Sequence, residues 1–314
     1  MGRRELIQAG DHRALAALIR ELDDGGPASA RASQELHELT AGLPPPFVVG
    51  VTGPPGAGKS TLVDGLCGLL RRRGARVGIV AVDPSSPLGG GAVLGDRVRM
   101  QRHATDAGVF IRSLGTRGAG GGLSSSAAHV VAALGAGGFS TVLVETVGVG
   151  QAEVDVAVLA DVTAVVTVPG LGDDVQALKA GLLEIADVLV VNKADRPGAE
   201  QALRDLQGML ELRRLTGAAA AEVPIVRTVG TTGEGLETLL AAIETAGAAQ
   251  RDEQRPGRAV RRVTQLLLGR LAADARAALA PGGAAASLAV EVATGRQDPK
   301  SALRNLMDQL REQY

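Results

Sequence analysis

The chain has 314 residues, 45% of them hydrophobic, enough for one large α/β core with appendages or two small domains. Aromatic residues make up only 1%, Trp is absent and the net charge is −1, which argues against a stacking platform for single-stranded nucleic acid and against any general attraction to polyanions or anionic membranes. The lone cysteine, Cys67, excludes intramolecular disulfides and thiolate metal clusters, and His12, His37, His103 and His129 have no metal-ligand spacing. With neither a signal-peptide pattern nor an uninterrupted apolar run of membrane-spanning length, a soluble cytoplasmic protein is expected.

The first 45 residues carry helical periodicity. Ala14, Leu15, Leu18, Ile19 and Leu22 form an apolar stripe that Gly25-Gly26-Pro27 is expected to end. A second helix is expected from about Ala28 to Leu43, before Pro44-Pro45-Pro46. From Phe47 to about Ala249, apolar strands alternate with helices: Phe47–Thr52, Val77–Val82, Val109–Leu114, Thr141–Glu145, Val162–Val168, Val188–Asn192 and Pro224–Thr228. Strands of this kind with helical connections predict an α/β fold with a mostly parallel sheet, covered on both faces. Beyond Gln250 a polar break precedes an amphipathic helix with Val260, Val263, Leu267, Leu271 and Ala275 on one face, which Pro281-Gly282-Gly283 ends. A final helix is expected from near Pro299, with Ala302, Leu303, Leu306 and Leu310.

Residues 53 to 60 read Gly-Pro-Pro-Gly-Ala-Gly-Lys-Ser, between the first strand and a helix with Leu62, Leu66, Leu69 and Leu70 at helical spacing. This is the G-x-x-x-x-G-K-S phosphate-binding loop in its proper context. Its glycines permit close backbone approach, so the N–H groups of Gly53, Gly56, Ala57, Gly58, Lys59, Ser60 and Thr61 can surround a phosphate at a helix N-terminus, with Pro54 and Pro55 shaping the turn and donating nothing. Lys59 is expected to reach the β- and γ-phosphates and Ser60 to ligate Mg²⁺. Asn192-Lys193-Ala194-Asp195 follows a later strand. A carboxylate there accepts from the guanine N1–H and exocyclic amine, and ATP would leave it unpaired, so GTP and GDP are the expected ligands. Asn192 is expected to brace this loop and the Lys193 stem to cover the base. The later run Thr228–Gly235, with Val229, Gly230 and Thr231, is a candidate second base-contacting loop. Three carboxylates near strand ends are candidate metal-site groups: Glu145, Asp83 and Asp96, the last being also a good helix N-cap. Glu145 opens Glu-Thr-Val-Gly, whose Gly148 N–H is placed to contact a γ-phosphate.

The segments GPPGAGKSTL, AVDPSSP, LGDRVRM, ETVGVGQAEVDV, PGLGDDVQALKAGLLEIADV and NKAD occur in one order. Together they resemble the MeaB/ArgK family of SIMIBI-class P-loop GTPases, accessory proteins of adenosylcobalamin-dependent acyl-CoA mutases whose best-known client is methylmalonyl-CoA mutase. Some members have been described as kinases linked to basic amino-acid transport. The resemblance implies a GTP-hydrolysing chaperone that loads adenosylcobalamin, or protects or reactivates the mutase. It implies a homodimer through C-terminal helices, Mg²⁺ held at Ser60, Asp83, Asp96 and Glu145, and a mobile loop at Gly170–Lys179 that responds to the client. Expected domains are a helical arm over 1–46, a P-loop GTPase domain over 47–249 and a helical dimerisation region over 250–314.

Candidate catalytic groups are Lys59, Glu145, Gln151 and Lys179. Gln151 follows the Glu-Thr-Val-Gly-Val-Gly run and is a candidate for orienting water, although its offset differs from the Ras-like pattern. Lys179, or Arg99, would supply positive charge after the client docks. Two rival readings stand beside this one. A nickel-insertion metallochaperone GTPase would share the nucleotide domain but usually needs a Cys/His metal store. A nucleotide-gated adaptor would bind GTP with little intrinsic turnover.

Overall fold

The computed structural model describes residues 2–24, 26–84, 101–103, 105–116, 122–146, 152–170, 180–215, 222–253 and 284–311. Over these the element order is α1 (Arg3–Gln8), α2 (His12–Asp24), α3 (Gly26–Thr40), β1 (Phe47–Thr52), α4 (Lys59–Arg72), β2 (Val77–Pro84), a 3₁₀ turn (Gln101–His103), β3 (Val109–Thr116), α5 (Gly122–Ala136), β4 (Thr141–Thr146), α6 (Ala152–Leu159), β5 (Val162–Thr167), α7 (Ala180–Ile185), β6 (Val188–Val191), α8 (Ala199–Leu215), β7 (Ile225–Arg227), α9 (Leu236–Glu253), α10 (Ala284–Ala293) and α11 (Pro299–Arg311). Two compact units result, Met1–Ala259 and Val260–Tyr314.

In the first unit a 7-stranded sheet has the order β3-β2-β4-β1-β5-β6-β7, with every pairing parallel. All seven expected strands are present; β1 has its expected bounds and the other six differ by one or two residues at an end. They form because each is a short β-branched run with no proline before its end, and because helices cover both faces. Alternation divides the side chains. On β1 and β5, Val49, Val51, Val162, Ala164 and Val166 join the core under α4 and α9. Val48, Val80, Val142 and Val144 face the opposite core, shared with α2, α3, α5 and α6. Val165, Leu189 and Val191 pack with Leu182, Ala186 and Leu206 of α7 and α8.

A repeated device starts the strands at the end remote from the loop crevice. Asp161, just before β5, accepts the Val48 N–H of β1 at 2.6 Å, and Asp187, just before β6, accepts the Thr163 N–H of β5 at 2.7 Å. Each satisfies a backbone donor where the ladder begins.

The N-terminal helices pack in this same unit. Asp11 caps α2, accepting from Arg13 N at 3.0 Å and Ala14 N at 2.8 Å. The stripe Leu15, Leu18, Ile19 and Leu22 is buried with Val130, Val131, Leu134, Phe110 and Phe139. Gly26 and Pro27, expected as a break, instead open α3, because proline's fixed φ and missing N–H suit a first helical turn.

In the second unit α11 is capped by Asp298, which accepts from Lys300 N at 3.0 Å and Ser301 N at 3.1 Å, with Pro299 at the first position. Helix α10 was not anticipated from the sequence. The expected amphipathic helix with Val260 to Ala275 lies outside the described residues.

Candidate functional site

The phosphate loop leaves β1 at Thr52 and enters α4 at Lys59, with Gly58 as N-cap in the left-handed region at φ 88°. A side chain is excluded at Gly58 for two reasons. The backbone conformation disfavours one, and a Cβ would stand 2.4 Å from Asn192 Nδ2. The close approach is the contact that joins the phosphate loop to the Asn-Lys-x-Asp loop.

Lys59 is only 5% exposed. Its ammonium donates to the Gly53 and Pro54 carbonyls at 2.9 Å each, which holds the charge over the loop's mouth rather than in solvent. Ser60 Oγ donates to Glu145 Oε1 at 2.5 Å. Strand alternation explains this contact: on β4, Leu143 and Glu145 point towards α4 while Val142, Val144 and Thr146 point away. On the far face Thr146 Oγ1 donates to Thr52 Oγ1 at 2.9 Å, so the two strands that carry the loop and Glu145 are tied at their ends. This pair was not singled out from the sequence, although each strand visibly ends in threonine.

Glu145 and Ser60 form a part-buried pair of hard oxygen donors. That donor chemistry suits Mg²⁺. Among the described residues no three His, Cys, Asp or Glu side chains come together as a protein-only metal cage. An ion shared with phosphates needs only one or two protein ligands.

Asn192 is 2% exposed and uses both ends of its amide. Nδ2 donates to the Ala57 carbonyl at 2.8 Å, while Oδ1 accepts from Thr228 Oγ1 at 3.1 Å and from Gly230 N at 3.0 Å. One side chain thus ties the phosphate loop, the Asn-Lys-x-Asp loop and the loop after β7. Lys193 adopts φ 55°, the one positive φ among described non-glycine residues, and donates from Nζ to Gly56 O at 2.7 Å. Its stem is therefore stretched from one loop to the other. Asp195 is exposed at the rim beyond it. The loop Val229–Glu234 closes on itself through a Val229–Glu234 bridge and a Thr232 Oγ1 bond to Val229 O at 3.2 Å, which brings Gly230 and Thr231 beside Asn192.

Gly53, Pro54, Pro55, Gly56, Ala57, Gly58, Lys59, Ser60, Thr61, Glu145, Asn192, Lys193, Asp195, Val229, Gly230 and Thr231 therefore lie at the carboxyl ends of β1, β4, β6 and β7. Asp83 lies near the end of β2, which pairs with β4. Asp96, Gly148, Gln151 and Lys179 lie outside the described residues. Cys67 on α4 is fully buried, and burial pushes its thiol up to about 12, so it is a packing residue without nucleophilic character.

Comparison with known proteins agrees with this arrangement. A Pyrococcus horikoshii protein named as a GTPase is 50% identical over 236 residues, 75% of this chain and 74% of its own. The Escherichia coli GTPase ArgK is 41% identical over 190 residues, 60% of this chain and 57% of its own. The crystal structure of a LAO/AO transport system kinase superposes with a TM-score of 0.70 at 23% identity, covering 98% of this chain and 96% of that one, and shows the shared fold. The family model described as methylmalonyl-CoA mutase-associated GTPase MeaB matches residues 15–280, and the chain belongs to that family of GTPases.

Proposed function

We propose that this GTPase is a chaperone of an adenosylcobalamin-dependent acyl-CoA mutase, most specifically methylmalonyl-CoA mutase, and that GTP hydrolysis times the loading, protection or reactivation of the client's cofactor. The observation that carries the reading is the single Asn192 brace between the phosphate loop and the guanine loop, in a chain of the mutase-associated family. A rigid link of this kind lets a change at the phosphates be felt at the base loop and at neighbouring surfaces. A mouse relative, 41% identical over 165 residues, is named as a methylmalonic aciduria type A homolog, which supports the same client chemistry.

In this reading Asp195 selects guanine, Lys193 covers the base and the Val229–Thr231 loop completes the base pocket. The backbone of Gly53–Thr61 and the Lys59 ammonium hold the phosphates. Ser60, Glu145, Asp83 and Asp96 would hold Mg²⁺ directly or through water, and the ion would neutralise charge on the leaving diphosphate. Water attacks the γ-phosphorus, the bond to the β-phosphate oxygen breaks, and GDP and phosphate leave. Gln151 would orient that water, and Lys179 would add positive charge once the client docks on Gly170–Lys179.

The protein would act in the cytoplasm as a homodimer. Val290, Leu303 and Met307 are 59%, 60% and 44% exposed on α10 and α11, an apolar surface consistent with a seam in the C-terminal region. Among the described residues no helix is long and apolar enough to cross a membrane. Transfer of adenosylcobalamin to an apo-mutase, followed by its absorbance spectrum, tests the chaperone role. GTP-dependent transfer is expected, and transfer identical with GTP, GDP and no nucleotide would overturn it.

A further inference from the structure

Two threonines on the sheet face away from α4 make a contact that the nucleotide site itself does not use. Thr52 ends β1 and Thr146 ends β4, at 0% and 1% exposure. The other positions of this face are apolar or glycine: Val48 and Gly50 on β1, Val142 and Val144 on β4. A hydroxyl buried among them costs free energy unless it is paired. Here the two pair with each other, Thr146 Oγ1 donating to Thr52 Oγ1 at 2.9 Å.

The bond stands where the backbone ladder between the two strands stops. The last residues of β1 and β4 in register are Val51 and Glu145. One residue further, Thr52 is in register with Val165 of β5 and Thr146 with Val82 of β2, and the hydroxyl bond continues the β1–β4 junction. Each threonine adjoins a part of the site. After Thr52 the chain turns at Gly53, at φ 138°, where a Cβ would stand 2.0 Å from the Val166 carbonyl oxygen, so the start of the phosphate loop is pressed against β5. Before Thr146 stands Glu145, which points to the opposite face and accepts from Ser60 Oγ at 2.5 Å.

A valine pair would fill this face equally well, and distance is what separates the two choices. Methyl carbons in contact stand about 3.5–4.0 Å apart, so a valine pair would hold the strand ends up to about 1 Å wider than the oxygen pair does. A set of metal donors tolerates displacements of only about 0.5 Å.

We propose that Thr52 and Thr146 are positioning residues for the metal end of the nucleotide site: their hydroxyl bond sets the separation of the strand ends, and with it the approach of Glu145 to Ser60. The inference rests on the reading of Ser60 and Glu145 as Mg²⁺ donors. It separates two affinities. Without Mg²⁺ the nucleotide is held by the phosphate loop and the Asn192–Asp195 loop, and the placement of Glu145 counts for little. With Mg²⁺ it counts in full.

The experiment uses the full chain and a fluorescent, non-hydrolysable GTP analogue. Affinity is measured in EDTA and across a Mg²⁺ titration, and thermal unfolding is followed alongside. Thr146→Val leaves the Thr52 hydroxyl buried without its partner, so the melting temperature should fall by about 4 °C. Its Mg²⁺ half-saturation concentration should rise by about tenfold, the usual scale for residues that orient metal ligands, with affinity in EDTA within about twofold of wild type. Thr146→Ser keeps the hydroxyl and should keep the wild-type titration. The double variant Thr52→Val, Thr146→Val orphans no hydroxyl, so its melting temperature should return close to wild type while the Mg²⁺ shift persists, a separation that a merely structural role would not produce. Thr167→Val is the control: it removes a hydroxyl on the same face of β5 that is buried and bonds to no described residue, and it should leave the titration unchanged.

A double variant with the wild-type Mg²⁺ titration overturns the proposal. So does a serine variant as impaired as the valine variant, a Thr167→Val shift equal to that of Thr146→Val, or a loss of affinity that is equal with and without Mg²⁺. Glu145→Gln tells the two failures apart. If it leaves the titration unchanged, the metal reading falls and this proposal with it; if it shifts the titration while the threonine variants match wild type, this proposal alone falls.

Discussion

At the scale of single residues, the site is organised by side chains that bond to other loops rather than to their own. The Asn192 amide reaches the Ala57 carbonyl, the Thr228 hydroxyl and the Gly230 N–H, all out of solvent or nearly so. Asn192→Ala would leave those groups unpaired, at about 1–3 kcal/mol for a buried polar group. GDP affinity should fall by at least about tenfold and the melting temperature should drop; calorimetry of binding and thermal unfolding read both. Asp195 has a different task, because it is exposed and braces nothing. Asp195→Asn should leave stability near wild type, weaken GTP by about 10- to 100-fold and improve xanthine nucleotides, whose edge offers an acceptor to an amide. Competition titrations with GTP, ATP and XTP check this, and equal wild-type affinity for GTP and ATP would contradict guanine selection. Lys59→Ala and Ser60→Ala should both lose hydrolysis, with excess Mg²⁺ partly restoring only the serine variant, since only that change removes a metal ligand.

At the scale of elements, helix α4 links the phosphate loop to the start of β3 through the Arg71–Asp106 pair. The Arg71 guanidinium, with help from the Gly108 N–H, holds the Asp106 carboxyl down at about 2, below its ordinary value near 3.8. A depressed carboxyl adds stability that is present above the unfolded value and lost as pH falls through the folded one. Asp106→Asn should therefore lower the melting temperature at pH 7 by about 3 °C, and the gap from wild type should close between about pH 4 and pH 2. A gap independent of pH would contradict the assignment.

The elements also show what a sequence makes legible. The strands were readable because each is a β-branched run closed on both sides by turn residues, and their ends slipped where apolar or small residues continue past the last ladder bond, as at Val168 and Asn192. Gly26-Pro27 resembled a stop because proline can either follow a helix or open one, and only packing of α3 on the core decides. Helix α10 is hard to read from sequence because Ala-Ala-Ala-Ser-Leu-Ala-Val-Glu-Val-Ala alternates more than it repeats at helical period. The phosphate and guanine loops were legible as motifs. The Thr52–Thr146 tie is not legible in this way, since it joins residues far apart in sequence through a type that is ordinary at any strand end.

At the scale of the whole molecule, the account requires a GTPase unit whose turnover responds to another protein. Dimerisation belongs to the C-terminal region in this account. A chain ending at Ala259, the edge of the first compact unit, should be monomeric by light scattering and should still bind GDP. A truncated chain that stays dimeric would place the seam elsewhere. Coupling to the client must be reciprocal for binding: if the mutase favours one nucleotide state, that state must bind the mutase more tightly. The segment Gly170–Lys179 is the expected relay, so Lys179→Ala or Asp174→Ala should reduce the client's stimulation while leaving basal turnover closer to normal, and basal turnover should depend instead on Lys59, Ser60 and Glu145. The most direct measurement is phosphate release from GTP by the full chain, with and without methylmalonyl-CoA mutase. The account predicts that the mutase accelerates release from GTP and that ATP is not hydrolysed in either case; a rate unchanged by the mutase would contradict it.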